Sequence, residues 1–135
     1  MSTEEQSLNT QDSVYLIRVE VKTSFIEEQS APELNRYVFA YTITIINEGN
    51  IAARLITRHW TITDALGNVQ EVRGVGVVGE QPFLKPGESF QYTSGTVLET
   101  PVGSMEGTYQ MIADDETEFA ATVPAFTLSI PHALH

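Results

Sequence analysis

Gly74, Gly76 and Gly79 stand at the spacing GxGxxG within the run Arg73-Gly74-Val75-Gly76-Val77-Val78-Gly79-Glu80-Gln81-Pro82. Glycine lets a backbone take positive φ or lie close against a ligand. In dinucleotide-binding folds this spacing brings N–H groups to a pyrophosphate at a helix N-terminus. That site needs the helix as well as the glycines. Here Glu80-Gln81-Pro82 follows and two β-branched valines precede Gly79, so no helix opens and a dinucleotide fold is excluded. What stays open is an anion nest of backbone N–H groups over residues 74 to 79, aided by Arg73 and supported by Arg58 or Lys85. The same residues equally suit a bend or bulge that carries the chain between sheets.

Other residue types with chemical potential lack a supporting pattern. His59 and Trp60 are neighbours, so on a strand they face opposite ways. His132 and His135 lie at the carboxyl end and form no metal-ligand spacing with each other or with a carboxylate. Asp114 to Glu118 could offer oxygen ligands to Mg²⁺ or Ca²⁺, but the order of an EF-hand is missing and the run suits a hairpin tip. Ser89, Ser94 and Ser104 sit near glycines, none of them in a GxSxG elbow. No catalytic residue, metal ligand or cofactor is expected from these residues, and no enzyme.

The elements that must position the glycines follow from period-two alternation. Tyr15, Ile17, Val19, Val21 and Phe25 share one parity against Arg18, Glu20 and Lys22, which predicts a long first strand over 15 to 25. Residues 36 to 47 are apolar on both parities, as in a central strand. Asn47-Glu48-Gly49-Asn50 reads as the turn of a hairpin into a strand over 52 to 64, on which Arg54 and Arg58 are expected toward solvent. A turn at Leu66-Gly67-Asn68 leads to a short segment over 69 to 73. After the glycines, Lys85-Pro86-Gly87-Glu88 is a turn with Pro second and Gly third, followed by a strand over 89 to 94. Residues 95 to 107 are expected to be an irregular loop because of Pro101 and Gly103. Strands over 108 to 113 and 118 to 123 and a last short one past Pro124 complete the chain.

Many short strands with turns between them predict an all-β fold, a two-sheet immunoglobulin-like or fibronectin type III-like β-sandwich. Its 135 residues suffice for a single domain over 13 to 131. Residues 1 to 12 are expected to form a flexible tail and 132 to 135 a frayed end. Eighteen acidic against seven basic residues give a net charge of −11. That balance argues against nucleic acid as a partner, whose phosphates need Lys and Arg. Without cysteine there is no disulfide or thiolate site. No apolar run is long enough to span a membrane and no signal peptide is visible, so a cytoplasmic protein is expected.

The run 73 to 82 is followed by Leu84-Lys85-Pro86-Gly87-Glu88-Ser89-Phe90-Gln91-Tyr92-Thr93-Ser94-Gly95 and by Gly103-Ser104-Met105-Glu106-Gly107-Thr108-Tyr109. Together with Tyr41-Thr42-Ile43-Thr44-Ile45 and Arg58-His59-Trp60, this series resembles the ApaG family from about Val14 onward. The resemblance implies a fibronectin type III-like sandwich and a family whose biochemical activity is not established. It also implies a genomic association with a diadenosine tetraphosphate hydrolase and a label linking the family to cobalt and magnesium efflux. Nothing in the residues supports more than an indirect role there. Similar domains in an F-box adaptor and a polymerase-delta-interacting protein point to binding rather than chemistry. A family-level suggestion of pyrophosphate binding falls on Gly74, Gly76 and Gly79. Val75 departs from the proline common in the family and restores one N–H donor. The resulting expectation is a non-enzymatic binding module that presents this loop to a protein partner or a phosphate-bearing small molecule. A Mg²⁺-dependent enzyme acting on dinucleoside polyphosphates is the alternative, and self-association through an exposed sheet edge is a third reading.

Overall fold

The computed structural model describes residues 14–132. The expected tail, and all of the expected frayed end except His132, fall outside the described residues. Eight strands follow in order: β1 (Ile17–Phe25), β2 (Tyr37–Asn47), β3 (Ala53–Asp64), β4 (Val69–Val75), β5 (Phe83–Leu84), β6 (Ser89–Leu98), β7 (Val102–Ala113) and β8 (Glu118–Ser129). They form two antiparallel sheets, one ordered β1-β2-β6 and one ordered β4-β3-β7-β8 with β5 added to β3. This is the expected all-β, fibronectin type III-like sandwich. Among the described residues no helix is long and apolar enough to cross a membrane.

The burial of each strand follows its place in a sheet. β2 lies between β1 and β6, so Phe39, Tyr41, Ile43 and Ile45 are buried on its inner face while Ala40, Thr42 and Thr44 are half-buried outside. β1 is an edge strand, and its alternation is cleaner. Trp60, 2 % exposed, sits at the centre of the core. Its ring meets Tyr41, Tyr109 and Phe126 edge-on at 5.8 to 6.0 Å between centroids, and each such pair adds about 1 kcal/mol beyond simple burial.

Four expectations are corrected. β1 starts at Ile17 because Tyr15 leaves the sheet, packs at a tilt against Phe119 with 5.4 Å between ring centroids and donates to Asp115 at 2.6 Å. The turn after Asn47 does not make a hairpin: β2 and β3 belong to different sheets. Buried Asn47 pins this crossing by donating to the carbonyls of Ile51 and Leu84 and accepting from the Gly49 N–H, each at 2.9 Å. The irregular loop over 95 to 107 is instead strand on both sides of residues 99 to 101. Finally, β8 runs straight through Pro124, which has no partner in β7 where the register slips between Met105 and Gly107. A bulge on an edge strand is where a residue without an N–H costs no ladder bond.

One side of the sandwich is closed and the other open. β1 packs against β8, whereas the edges β4 and β6 leave a cleft between the sheets, lined by residues of both.

Candidate functional site

The glycine run is positioned by an irregularity in β3. Between Leu55 and Thr57 the register against β7 shifts by one residue, leaving Ile56 as the bulge. The bulge inverts parity: Ala53 and Leu55 are buried before it, Trp60 and Ile62 after it. Arg54 therefore points outward and Arg58 inward, so the expected solvent-facing placement holds for Arg54 and is corrected for Arg58. Strict alternation does not reveal a bulge.

Beyond the bulge β4 pairs with β3 in the register Arg58 to Gly74 and His59 to Arg73. The chain then folds back onto the bulge. The Gly76 N–H donates to the Ile56 carbonyl at 2.8 Å, and the Gln81 side-chain amide donates to the same oxygen at 3.1 Å. Val77 and Glu80 exchange two hydrogen bonds, at 2.8 and 2.9 Å, around Val78 (φ 43°) and Gly79 (φ 81°). Two central residues with positive φ make a tight two-residue hairpin turn. Val77 anchors it as a fully buried side chain, while Val75 and Val78 are 70 % and 54 % exposed.

Two arginines grip the carbonyls of this hairpin. Arg58 Nη1 donates to the Gly76 carbonyl at 2.8 Å and to that of Val75 at 3.3 Å. Arg54 Nη1 donates to the Gln81 carbonyl at 2.8 Å and lies 5.2 Å over the Phe83 ring. Gly74 is required by the first of these contacts, since a Cβ there would lie 2.6 Å from Arg58 Nη1. Gly76 combines φ 66° with a space in which a Cβ would lie 2.3 Å from the Glu80 carbonyl oxygen.

The candidate residues thus separate. Gly74, Gly76 and Gly79 come together with Arg58. The N–H groups of Gly76, Val77 and Glu80 are already bonded within the hairpin or to β3. Arg73 lies on the opposite face of β4, 3.8 Å from Glu71, whose carboxylate also meets His59 Nε2 at 2.9 Å. Arg58 and Arg73 both border a shallow hollow with Thr57, Val75 and Gln110. Lys85 is elsewhere, in the β5–β6 turn, with its N–H on the Glu88 carboxylate at 2.8 Å. Asp114 to Thr117 form the β7–β8 turn and Glu118 opens β8; in the turn the Tyr15 hydroxyl holds Asp115 below the usual carboxylate range. Among the described residues no group of three or more His, Asp or Glu side chains is placed to hold a metal ion.

What spacing does not show is the cleft under the hairpin. A cavity of about 420 Å³ runs between β3–β4 and β6, floored by Tyr41, Trp60, Ile62 and Met105 and edged by Arg58 and Ser94. A hollow of about 130 Å³ extends it beneath Val77 and Val78 to Tyr92. There the Tyr92 and Tyr109 hydroxyls share a buried hydrogen bond of 2.6 Å. Burial pushes Tyr92 up to about 12 and raises Tyr109 as well. Both phenols stay protonated near neutrality and serve as polar ties in the core rather than nucleophiles. The one signal for this cleft in the sequence was the Arg58-His59-Trp60 triplet, whose two inner residues are Arg58 and Trp60.

The sequence profile of the ApaG domain matches residues 27–113. Protein ApaG of Thiobacillus denitrificans is 60 % identical over 121 residues, covering 90 % of this chain and 95 % of the relative. Protein ApaG of Stenotrophomonas maltophilia is 61 % identical over 122 residues, covering 90 % and 96 %. The crystal structure of a Bordetella pertussis protein superposes with a TM-score of 0.86 at 48 % identity, over 87 % of this chain and 96 % of that one. A profile match across more than half of the chain, relatives of this identity along nearly their whole length and a shared fold lead to one conclusion: the chain belongs to the ApaG family.

Proposed function

We propose that this chain is a non-catalytic binding module that uses the Gly-rich hairpin as a rigid contact element for a protein partner. The observation that carries this reading is the contrast within residues 75 to 80. The backbone is fastened to β3 and to Arg58, yet Val75 and Val78 leave 70 % and 54 % of their surface exposed. A tip that is already ordered loses little entropy when a partner covers it, and exposed apolar side chains on such a tip favour burial. Any link to cobalt or magnesium resistance would then be indirect, through that partner.

Photo-crosslinking in cells tests this. A photoreactive residue at position 78 should yield a discrete adduct that Val75→Asp abolishes in a folded protein, while the same probe at Leu66, also exposed, should not. No adduct at 78, or the same adduct at 66, rejects the hairpin as contact element. Mg²⁺-stimulated turnover of a dinucleoside polyphosphate by the purified chain rejects the non-catalytic half.

A further inference from the structure

We propose that the open side of the sandwich is a binding cleft for a small organic monocarboxylate. Its carboxylate would sit on Arg58 and its apolar body over Trp60 and Tyr41. This does not rest on a partner at the hairpin tip, and either idea can fail without the other.

The first support is shape. The edges β4 and β6 leave the sheets unbridged, and the cavity of about 420 Å³ between them continues into the hollow of about 130 Å³ under the hairpin. Small-molecule sites occupy roughly 300–1,000 Å³. The second is lining. Trp60, Tyr41, Ile62 and Met105 give a buried apolar floor, while Ser94, Thr96 and Gln70 supply polar groups at the rim. An apolar floor with polar groups placed at the rim is an arrangement that such sites share.

Charge identifies the ligand class. A partly buried charge is normally paired, yet among the described residues the ion pairs of the protein involve Arg18, His59 and Arg73 and none involves Arg58. Arg58 spends Nη1 on the carbonyls of Val75 and Gly76. That leaves the Nε and Nη2 side of its planar fork, the geometry that meets a carboxylate with two parallel hydrogen bonds. One guanidinium balances one negative charge. In a chain of net charge −11 a dianionic phosphate meets about twice the long-range repulsion of a monoanion and leaves its second charge unbalanced, so the site favours a monocarboxylate.

The test is a titration of the purified full chain with 3-phenylpropanoate. Trp60 is the sole tryptophan and forms the floor, so its fluorescence reports occupancy, and amide shifts at Val72, Ser94 and Thr96 report place. Saturable changes should occur below about 10 mM, with 3-phenylpropan-1-ol at least about tenfold weaker and phenyl phosphate weaker than the carboxylate. Arg58→Gln should weaken binding about tenfold or more. Because that change also loosens the hairpin, Ser94→Leu provides a second arm: it fills the cleft from β6 while leaving the Arg58 donors to the Val75 and Gly76 carbonyls in place, and should weaken binding as much. The proposal is overturned by equal binding of the alcohol, by tighter binding of phenyl phosphate, by the absence of saturable change, or by a folded Ser94→Leu variant that binds like the wild type.

Discussion

Two tight turns, one on either side of β4, are built in opposite ways. The turn at 64 to 68 is held mainly by its own residues: the Asp64 carboxylate accepts from the N–H groups of Leu66 and Asn68 at 2.9 Å and from the Asn68 side-chain amide at 3.0 Å, with one outside bond from the Ala65 N–H to the Thr100 hydroxyl at 3.0 Å. The hairpin at 77 to 80 is held from outside, by the Ile56 carbonyl, by Arg58 and by the buried side chain of Val77. Gly67 has positive φ and open space around it, whereas Gly76 has positive φ and the Glu80 carbonyl against it. A self-contained turn can tolerate change locally. A turn clamped to a bulge on the neighbouring strand transmits change to the core and to the cleft beneath it.

The largest expected effect separates these two glycines. At Gly67, alanine meets the left-handed penalty alone, about 1 kcal/mol. At Gly76 the same penalty adds to a Cβ placed 2.3 Å from a backbone oxygen, which only a backbone shift relieves, so Gly76→Ala should cost about 3 kcal/mol or more. Chemical denaturation of the two variants measures the difference. Equal losses would show that the hairpin yields as freely as the turn and would break the contrast.

Arg58→Gln sharpens it further. Removing a charged donor from two carbonyls should cost about 1–2 kcal/mol, and the loss should be local. Hydrogen exchange at Val77, Val78 and Glu80 should quicken, with amides of Leu66 and Asn68 unchanged. Uniform acceleration at both turns would mean that Arg58 acts through global stability instead.

The same contrast explains how much was legible in the sequence. The sandwich, its strands and the turn at Lys85 to Glu88, with Gly87 at φ 87°, rest on alternation and on local turn chemistry. These features are written in adjacent residues. The inward placement of Arg58 depends on a bulge at Ile56 that is set by pairing with β7, far along the chain. The crossing after Asn47 depends likewise on Leu84, across the sandwich. GxGxxG could be read as a site or as a bend because the spacing records that side chains are excluded, not why: crowding at Gly74 and Gly76, and at Gly79 only a φ of 81° in open space. Here the neighbours are Arg58 at Gly74 and Glu80 at Gly76.

The smallest expected effect is in acid, and its sign follows from the two constructions. Hydrogen bonding to the Asn68 side chain, then to nearby backbone N–H groups, lowers the Asp64 pKa below its ordinary value of 3.8. A carboxyl group with a lowered folded pKa contributes stability above its unfolded pKa and loses it as pH falls through the folded value. The 64 to 68 turn should therefore loosen on acidification below about 4, seen as faster exchange and shifted amides at Leu66 and Asn68. Asp64→Asn should remove the transition. The bonds that clamp the hairpin end on the carbonyl oxygens of Ile56, Val75, Gly76, Val77 and Glu80, which do not titrate. Amides at Val77 and Glu80 should stay level across the same interval. If they move with the midpoint of Asn68, one acid transition governs both turns, and the independence of the self-held turn from the clamped one is lost.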